Sequence, residues 1–130
     1  MKINRQILII EDDAVMRSAL AETFQKANFA VQTASDGVSG LQSALNHRPD
    51  LLILDINLPA MSGLNVMQSV REGGGEWGEN VKIILLTNLM LDNDMLEMVT
   101  KYNPAFYLLK SDVELDDLVA RANECLVDQI

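Results

Sequence analysis

Five short apolar segments alternate with amphipathic stretches along this chain, and that alternation is the strongest constraint on its fold. The segments cover residues 6–10, 29–34, 51–54, 81–86 and 105–109. Strands with such continuous apolar sequence are typical of a parallel sheet that is covered by helices on both faces. The stretches that follow each strand repeat apolar residues at helical spacing, which predicts five helices. We therefore expect an α/β fold with a doubly wound, five-stranded parallel sheet.

Several helix boundaries carry signals of their own. The first helix is predicted over residues 14–28, and Asp13 is placed to cap it. Ser35 and Asp36 offer an N-cap for the second helix. The sequence "SDVE" at 111–114 has the form of a capping box, so we expect Ser111 to open the last helix.

The segment "REGGGEWGEN" at 71–80 breaks this rhythm after a short third helix that follows Gly63. Its three consecutive glycines predict a mobile surface loop. Trp77 in this loop has two possible roles: it anchors a partner, or it folds back over apolar surface.

Composition limits what the chain can bind and where it can work. The 130 residues fit one domain, 1–130, and the net charge of −9 disfavours direct contact with nucleic acid or an anionic membrane. No apolar run approaches the roughly 20 residues needed to span a bilayer, and no export signal opens the chain. The lone Cys125 cannot form an internal disulfide, which suits a reducing compartment. We expect a cytoplasmic protein.

Polar and charged residues follow four of the five predicted strands. They are Glu11, Asp12 and Asp13 after the first strand, Asp55 and Asn57 after the third, Thr87 after the fourth and Lys110 after the fifth. Ligands of doubly wound sheets bind outside the carboxyl ends of the strands, so we expect these side chains to converge. Asp13 is the exception, because we expect it to cap the first helix instead.

Such a set of side chains indicates phosphoryl transfer. Carboxylates that lie close together repel one another unless a cation joins them, and Mg²⁺ prefers oxygen ligands. A metal, a hydroxyl and an ammonium around one carboxylate supply the positioning and charge neutralisation that phosphoryl transfer needs. An Asp can itself be the nucleophile. The residues therefore predict a Mg²⁺-dependent aspartate that accepts a phosphoryl group.

The chain resembles the response-regulator receiver domains of two-component signalling, through the segments "ILIIEDD", "LLILDINLPAMSG", "IILLT" and "FYLLK". The resemblance implies a flavodoxin-like sheet with strand order 2-1-3-4-5 and five helices. It also implies roles for individual residues. Asp55 would be the phosphorylation site, Glu11 and Asp12 the acidic pair that holds Mg²⁺ or Mn²⁺ with Asp55, and Asn57 the donor of a main-chain carbonyl to that metal. Thr87 and Lys110 would contact the phosphoryl group.

The resemblance further implies a switch and its partners. Tyr107 would turn inward as Thr87 moves, and this would remodel the face made by the fourth helix, the fifth strand and the last helix. A sensor histidine kinase or a phosphotransfer protein would supply the phosphoryl group, and a downstream protein would respond. The protein would be a phosphoacceptor rather than an enzyme, and a monomer or a phosphorylation-dependent homodimer. The sequence stops at Ile130, just after the last predicted helix. If these residues are the whole protein, we expect it to act by docking to a protein partner; if they are one domain of a longer protein, the sequence does not indicate the output.

Two residues depart from the family pattern. Ser111 follows Lys110 where the family commonly has proline, often after a cis peptide bond, so we expect a trans bond here. Asn88 follows Thr87 where a small residue is usual, and its bulk is expected to narrow access to Asp55. The change at Ser111 is expected to alter the path of the loop that carries Lys110, and neither departure removes a reactive group.

Three other functions compete with this interpretation. A phosphatase of the haloacid-dehalogenase type needs a second Asp where this chain has Asn57, which cannot act as a general acid. A flavin site needs a phosphate-binding loop after the first strand, where this chain has carboxylates. A receiver-fold interaction module that does not use phosphate remains open, although every reactive group is present.

Three residue types outside the site have simpler interpretations. His47 is expected to be an exposed surface residue, and Cys125 to pack in the core. The methionines around the fourth helix, Met90, Met95 and Met98, either fill the core or form an adaptable partner surface.

Overall fold

The predicted parallel sheet is confirmed in the computed structural model, which describes residues 5–127. Its strands are β1 (Gln6–Ile10), β2 (Ala30–Ala34), β3 (Leu51–Leu54), β4 (Lys82–Thr87) and β5 (Phe106–Leu109). All neighbours pair in parallel, in the order β2-β1-β3-β4-β5. The central position of β1 and β3 brings their carboxyl ends side by side.

Six helices, one more than predicted, cover the sheet within the described residues. They are α1 (Ala14–Lys26), α2 (Gly37–His47), α3 (Gly63–Gly73), α4 (Gly75–Asn80), α5 (Asn93–Tyr102) and α6 (Leu115–Leu126). The expectation of five helices is wrong because α4 forms inside the segment that we predicted to be a mobile loop.

The glycines of this segment allow a tight junction between α3 and α4. Gly75 has a φ of 65°, a conformation that side chains disfavour, and it starts α4 directly after α3 has ended. Trp77 then packs against the apolar core, and its indole Nε1 donates a hydrogen bond of 2.8 Å to the carbonyl of Pro49. Of its two possible roles, Trp77 therefore folds back over apolar surface.

Alternate strand residues feed two separate cores. On one face of the sheet, Leu8 and Ile10 pack with residues of α2, α3 and α5. On the other face, Ile7 and Ile9 pack with residues of α1 and α6. Burial on both faces explains why the strands are continuously apolar.

Two of the predicted caps are confirmed, and one is wrong. Asp13 accepts hydrogen bonds from the amides of the first turn of α1, and Asp36 accepts one from Ser39 in α2. Ser111 does not open the last helix. Residues 109–112 form a turn, with the amide of Asp112 bonded to the carbonyl of Leu109, so α6 begins only at Leu115.

Every peptide bond that the structure describes is trans, including the bond between Lys110 and Ser111, as predicted. Among residues 5–127, no helix has the length and apolar character needed to cross a bilayer.

Candidate functional site

Three carboxylates meet where β1 and β3 end. Glu11 and Asp12 follow β1, Asp55 follows β3, and oxygen atoms from all three side chains lie within 4.8 Å of one another. Asp12 is exposed, whereas Glu11 is 2% and Asp55 6% exposed. The convergence that the strand order predicts is therefore present.

Asp55 is held at its backbone and at both carboxylate oxygens. Its amide donates to the carbonyl of Ile10, which extends the pairing of β1 and β3 by one residue. Its Oδ1 accepts from the amide of Asn57 at 3.1 Å, and its Oδ2 accepts from Nζ of Lys110 at 2.7 Å. The side chain is thereby fixed between the loop that follows β3 and the loop that follows β5.

Lys110 is the cation of the cluster. Its ammonium forms ion pairs with Asp55 and with Glu11, and it is mostly buried. Burial lowers the pKa of Lys110, but the hydrogen bonds and charges of the two carboxylates outweigh this effect, so the pKa is raised. Lys110 stays charged throughout the neutral range.

The cluster holds three carboxyl groups against one ammonium, that of Lys110. Burial raises the pKa of Glu11, Lys110 opposes that rise, and the charge of Asp55 adds to it. The acidic groups of the cluster outnumber its basic group, which leaves an excess of negative charge. The oxygen donors and this excess charge fit a hard divalent cation, which Glu11, Asp12 and Asp55 could hold.

Thr87 and Tyr107 are both bonded to the backbone of Leu89. The hydroxyl of Thr87, 1% exposed at the end of β4, accepts from the amide of Leu89 at 3.3 Å. The hydroxyl of Tyr107, half-buried in β5, donates to the carbonyl of the same residue at 3.0 Å. Leu89 therefore links the two residues that were predicted to move together.

Five of the seven predicted site residues line an open cleft of about 340 Å³, whereas Glu11 and Tyr107 lie outside its lining. Its walls are Asp12, Asp13, Asp55, Asn57, Thr87, Asn88, Leu89 and Lys110. A larger cleft of about 560 Å³ lies at the opposite edge, where β4 and β5 begin, far from the carboxylates. Arg71 in that larger cleft is bonded to backbone carbonyls, so the chemistry belongs to the smaller cleft.

Arg17 supports the site and was not predicted. Its guanidinium donates to the carbonyl of Glu11 at 3.0 Å and to that of Asp12 at 3.2 Å. Arg17 lies one helical turn after the cap Asp13, which places it above the acidic loop. The spacing from Asp13 could have indicated this role of Arg17. It was not a strong indication, because an arginine in the first turns of a helix is more often solvated.

The remaining residue predictions have clear outcomes. His47 is exposed and Cys125, on the buried side of α6, packs in the core, so both predictions are confirmed. The methionines divide between the two possibilities. Met95 and Met98 pack against the core, whereas Met90 is 91% exposed.

Known proteins are similar to this chain in sequence and in fold. The sequence model of the family described as the response regulator receiver domain matches residues 7–123. Response regulator MprA of Mycobacterium sp. (strain KMS) is 33% identical over 82 residues, 63% of this chain and 34% of that protein. Regulator of RpoS of Escherichia coli (strain K12) is 37% identical over 90 residues, 69% of this chain and 26% of that protein. The chain thus matches only about a quarter to a third of the length of these curated relatives.

Solved structures give the same fold. A response regulator receiver domain protein (CheY-like) from Methanospirillum hungatei JF-1 superposes with a TM-score of 0.86. It covers 97% of this chain and 96% of its own, at 22% sequence identity. The family match over most of the chain and the shared five-stranded sheet lead to one conclusion. The chain belongs to the family of response regulator receiver domains.

Proposed function

We propose that this receiver domain is a phosphorylation-controlled switch in which Asp55 accepts the phosphoryl group. The observation that carries the proposal is the setting of Asp55. Its carboxylate lies in an open cleft, fixed between an amide and the ammonium of Lys110, beside two further carboxylates. A carboxylate held this firmly has little conformational freedom left to lose when it attacks phosphorus.

The transfer itself needs little covalent chemistry from the protein. A carboxylate oxygen of Asp55 bonds to phosphorus, and the bond from phosphorus to the leaving group breaks. The leaving group departs with its electron pair, and Asp55 becomes an acyl phosphate. Donors of the right class are the phosphohistidine of a sensor kinase or phosphotransfer protein, or a small acyl phosphate.

The neighbouring residues would neutralise the charge of the transferred group. The ammonium of Lys110 already contacts the carboxylate of Asp55. After the transfer it would contact the oxygens of the phosphoryl group on Asp55. Glu11, Asp12 and Asp55 would hold a divalent cation, Mg²⁺ or Mn²⁺, and the carbonyl of Asn57 would be a further ligand. When bound, this cation supplies positive charge to the phosphoryl oxygens.

The link through Leu89 supports a route from the phosphoryl group to the protein surface. A phosphoryl dianion at Asp55 would attract the hydroxyl of Thr87 and detach it from the Leu89 amide. The same peptide segment accepts the hydroxyl of Tyr107, so the β4–α5 loop and Tyr107 would rearrange together. Met90 in the β4–α5 loop and Leu96 in α5 are exposed. We propose that the rearrangement reaches the face formed by α5, β5 and α6.

This face is the proposed docking surface for a downstream protein, or for a second copy of the phosphorylated chain. Neither nucleic acid nor membrane is a proposed partner, because the net charge is −9. The free, buried thiol of Cys125 suits a reducing compartment, so we place the switch in the cytoplasm. We infer that the domain, residues 1–130, is a phosphoacceptor rather than an enzyme that turns over a substrate.

Mass spectrometry after incubation with Mg²⁺ and acetyl phosphate tests the proposal. We expect one phosphoryl adduct, mapped to Asp55, that is lost when Mg²⁺ is chelated and in Asp55→Asn. Asp13→Asn is the matched control, because it removes the same charge nearby and an Asn can still cap α1. A wild-type protein without a Mg²⁺-dependent adduct, or an undiminished adduct on Asp55→Asn, would contradict the proposal.

A further inference from the structure

The two residues that depart from the family pattern are bonded to each other. The side-chain Oδ1 of Asn88 accepts a hydrogen bond of 3.1 Å from the backbone amide of Ser111. Asn88 follows β4 and Ser111 follows β5, so this bond joins the loop after Thr87 to the loop that carries Lys110. We call this pair the 88–111 clamp.

The clamp continues the β4–β5 pairing beyond the end of the sheet. The last paired residues of the two strands are Thr87 and Leu109. The amide of Lys110 then donates to the carbonyl of Thr87 at 3.0 Å. At the following amide, that of Ser111, the side chain of Asn88 serves as the acceptor. The backbone of Lys110 is thereby held on both sides by consecutive residues of the β4 end.

A fixed backbone at this point matters because Lys110 makes the central contacts of the site. Its ammonium reaches Asp55 and Glu11 across a long, flexible side chain. A lysine side chain loses considerable conformational freedom when it is held in one place, so a mobile backbone would weaken both contacts.

We infer that Asn88 is a positioning residue for phosphoryl transfer, which acts through the Ser111 amide to hold Lys110 beside Asp55. The inference rests on the proposed function of Asp55. It also gives the two departures one common reason. A proline at position 111 has no N–H, so the acceptor on Asn88 has a partner only because residue 111 is not proline.

Asn88 could act through the clamp or through its bulk, which would narrow access to Asp55. The two roles predict opposite changes in the rate of Asp55 phosphorylation when the side chain of Asn88 is shortened. If Asn88 mainly blocked the cleft, Asn88→Ala would speed the reaction of Asp55 with a small donor. If Asn88 holds the Lys110 loop, the same substitution slows it. A hydrogen bond of ordinary net strength corresponds to about a two- to tenfold change in an equilibrium.

The experiment measures the rate of Asp55 phosphorylation by acetyl phosphate at fixed Mg²⁺. We expect Asn88→Ala and Ser111→Pro each to lower the rate by about two- to tenfold, the range set by one hydrogen bond. The double variant should be no slower than the slower single variant, because both changes remove the same bond. Ser111→Ala keeps the N–H and is the matched control, with a rate equal to wild type. Asn88→Asp keeps an acceptor oxygen for the Ser111 amide but adds a negative charge to the cleft, so it is used for hydrogen exchange and not for the rate.

Amide hydrogen exchange of Ser111 in the unphosphorylated protein provides a second readout. Asn88→Ala should expose this amide and speed its exchange, and Asn88→Asp should keep it protected. Urea unfolding should show that the unfolding equilibrium of Asn88→Ala changes by no more than the same two- to tenfold factor. This readout does not need phosphorylation, so it tests the clamp even if wild-type Asp55 proves unreactive. The inference is overturned if Asn88→Ala phosphorylates as fast as wild type or faster, if the single effects add, or if Ser111 exchange is unaffected.

Discussion

At the scale of single residues, the site depends on a close approach between the backbone of Gly63 and the backbone of Asp55 and Ile56. The loop after Asp55 returns to it at Gly63, whose amide donates to the carbonyl of Ile56 at 2.8 Å. A Cβ atom placed on Gly63 would lie 2.0 Å from the carbonyl oxygen of Asp55, which no neighbouring atom could relieve without a backbone shift. The absence of a side chain at Gly63 therefore sets where Asp55 lies.

Gly63→Ala should accordingly destabilise the protein and misplace Asp55. We expect a loss of about 1–3 kcal/mol in the free energy of unfolding, the usual cost of forcing atoms into a packed region. Urea unfolding measures this loss. Gly73→Ala is the matched control in the same helix, because a Cβ there meets no atom within 4 Å. A Gly63→Ala variant as stable as Gly73→Ala would contradict the prediction.

Cys125 gives a pH dependence whose sign follows from its burial. Burial raises the pKa of its thiol, with the charge of Lys82 opposing the rise. The unfolded chain therefore loses the thiol proton at lower pH than the folded protein does. The contribution of Cys125 to stability is complete below the unfolded pKa and declines as the pH rises from that value toward the folded one.

Two measurements check this sign. The native thiol should react slowly with a disulfide reagent near pH 8, because little thiolate is present and the sulfur is buried, whereas the urea-unfolded chain should react fast. The free energy of unfolding should also fall more steeply above pH 8.5 in wild type than in Cys125→Ala. Equal reaction rates for native and unfolded protein would refute the buried position of the thiol.

At the scale of elements, Arg71 ties together three parts of the chain. Its guanidinium donates to the carbonyls of Gly78 in α4 and Val81 before β4, and to those of Tyr102 and Asn103 at the end of α5. These carbonyls lie where α4 and α5 have ended or are about to end, so they lack helical partners. One side chain thereby satisfies several terminal carbonyls at once.

Arg71→Ala should destabilise the fold by about 2–4 kcal/mol, because partly buried carbonyls lose a charged donor. Arg71→Lys should recover only part of that loss, because an ammonium cannot reproduce the planar fork of donors. Lys26→Ala, which breaks an exposed ion pair with Glu22 in α1, should leave stability nearly unchanged. Urea unfolding of the three variants distinguishes these outcomes, and equal effects of Arg71→Ala and Lys26→Ala would contradict the role of Arg71.

The elements also separate what a sequence pattern can predict from what it cannot. The strands followed from apolar runs, and the convergence of Glu11, Asp12 and Asp55 from the rule that parallel strands end at one edge. The strand order was implied by the resemblance to receiver domains. The helix α4 did not, because three glycines favour a loop locally, and only the distant carbonyl of Pro49 and the core give Trp77 a place to pack. Ser111 was misassigned for the same kind of reason, since its amide is bonded to Asn88, 23 residues earlier.

At the scale of the whole molecule, stability and function draw on the same carboxylate cluster. A chain with a net charge of −9 gathers three of its acidic residues at one edge of the sheet, where Lys110 is a direct counter-charge to Glu11 and Asp55. Like charges held together destabilise the folded state. Any cation that binds the folded site and not the unfolded chain offsets this cost by linkage.

The fold should therefore be more stable with a divalent cation, and Asp12 should decide the effect. At a Mg²⁺ concentration one hundred times the Kd, linkage raises the free energy of unfolding by about 2.7 kcal/mol. Asp12→Asn should lose most of this gain. Without metal, however, Asp12→Asn should be at least as stable as wild type, because one of three repelling charges is gone. Thermal unfolding with and without Mg²⁺, at constant ionic strength set by NaCl, measures both effects.

Asp13→Asn separates a specific site from general screening of negative charge. It removes the same charge one residue away, outside the cluster, and an Asn keeps the cap of α1. If Mg²⁺ stabilises Asp13→Asn as much as wild type but not Asp12→Asn, the cation binds at Glu11, Asp12 and Asp55. If all three proteins respond alike, the cation only screens the surface, and the cluster is not a metal site. Asp12→Asn should leave the free energy of unfolding equal or higher without Mg²⁺ and should lower it relative to wild type when Mg²⁺ is bound. A cation site requires this change of sign, because the carboxylate repels its neighbours without the cation and binds it when it is present.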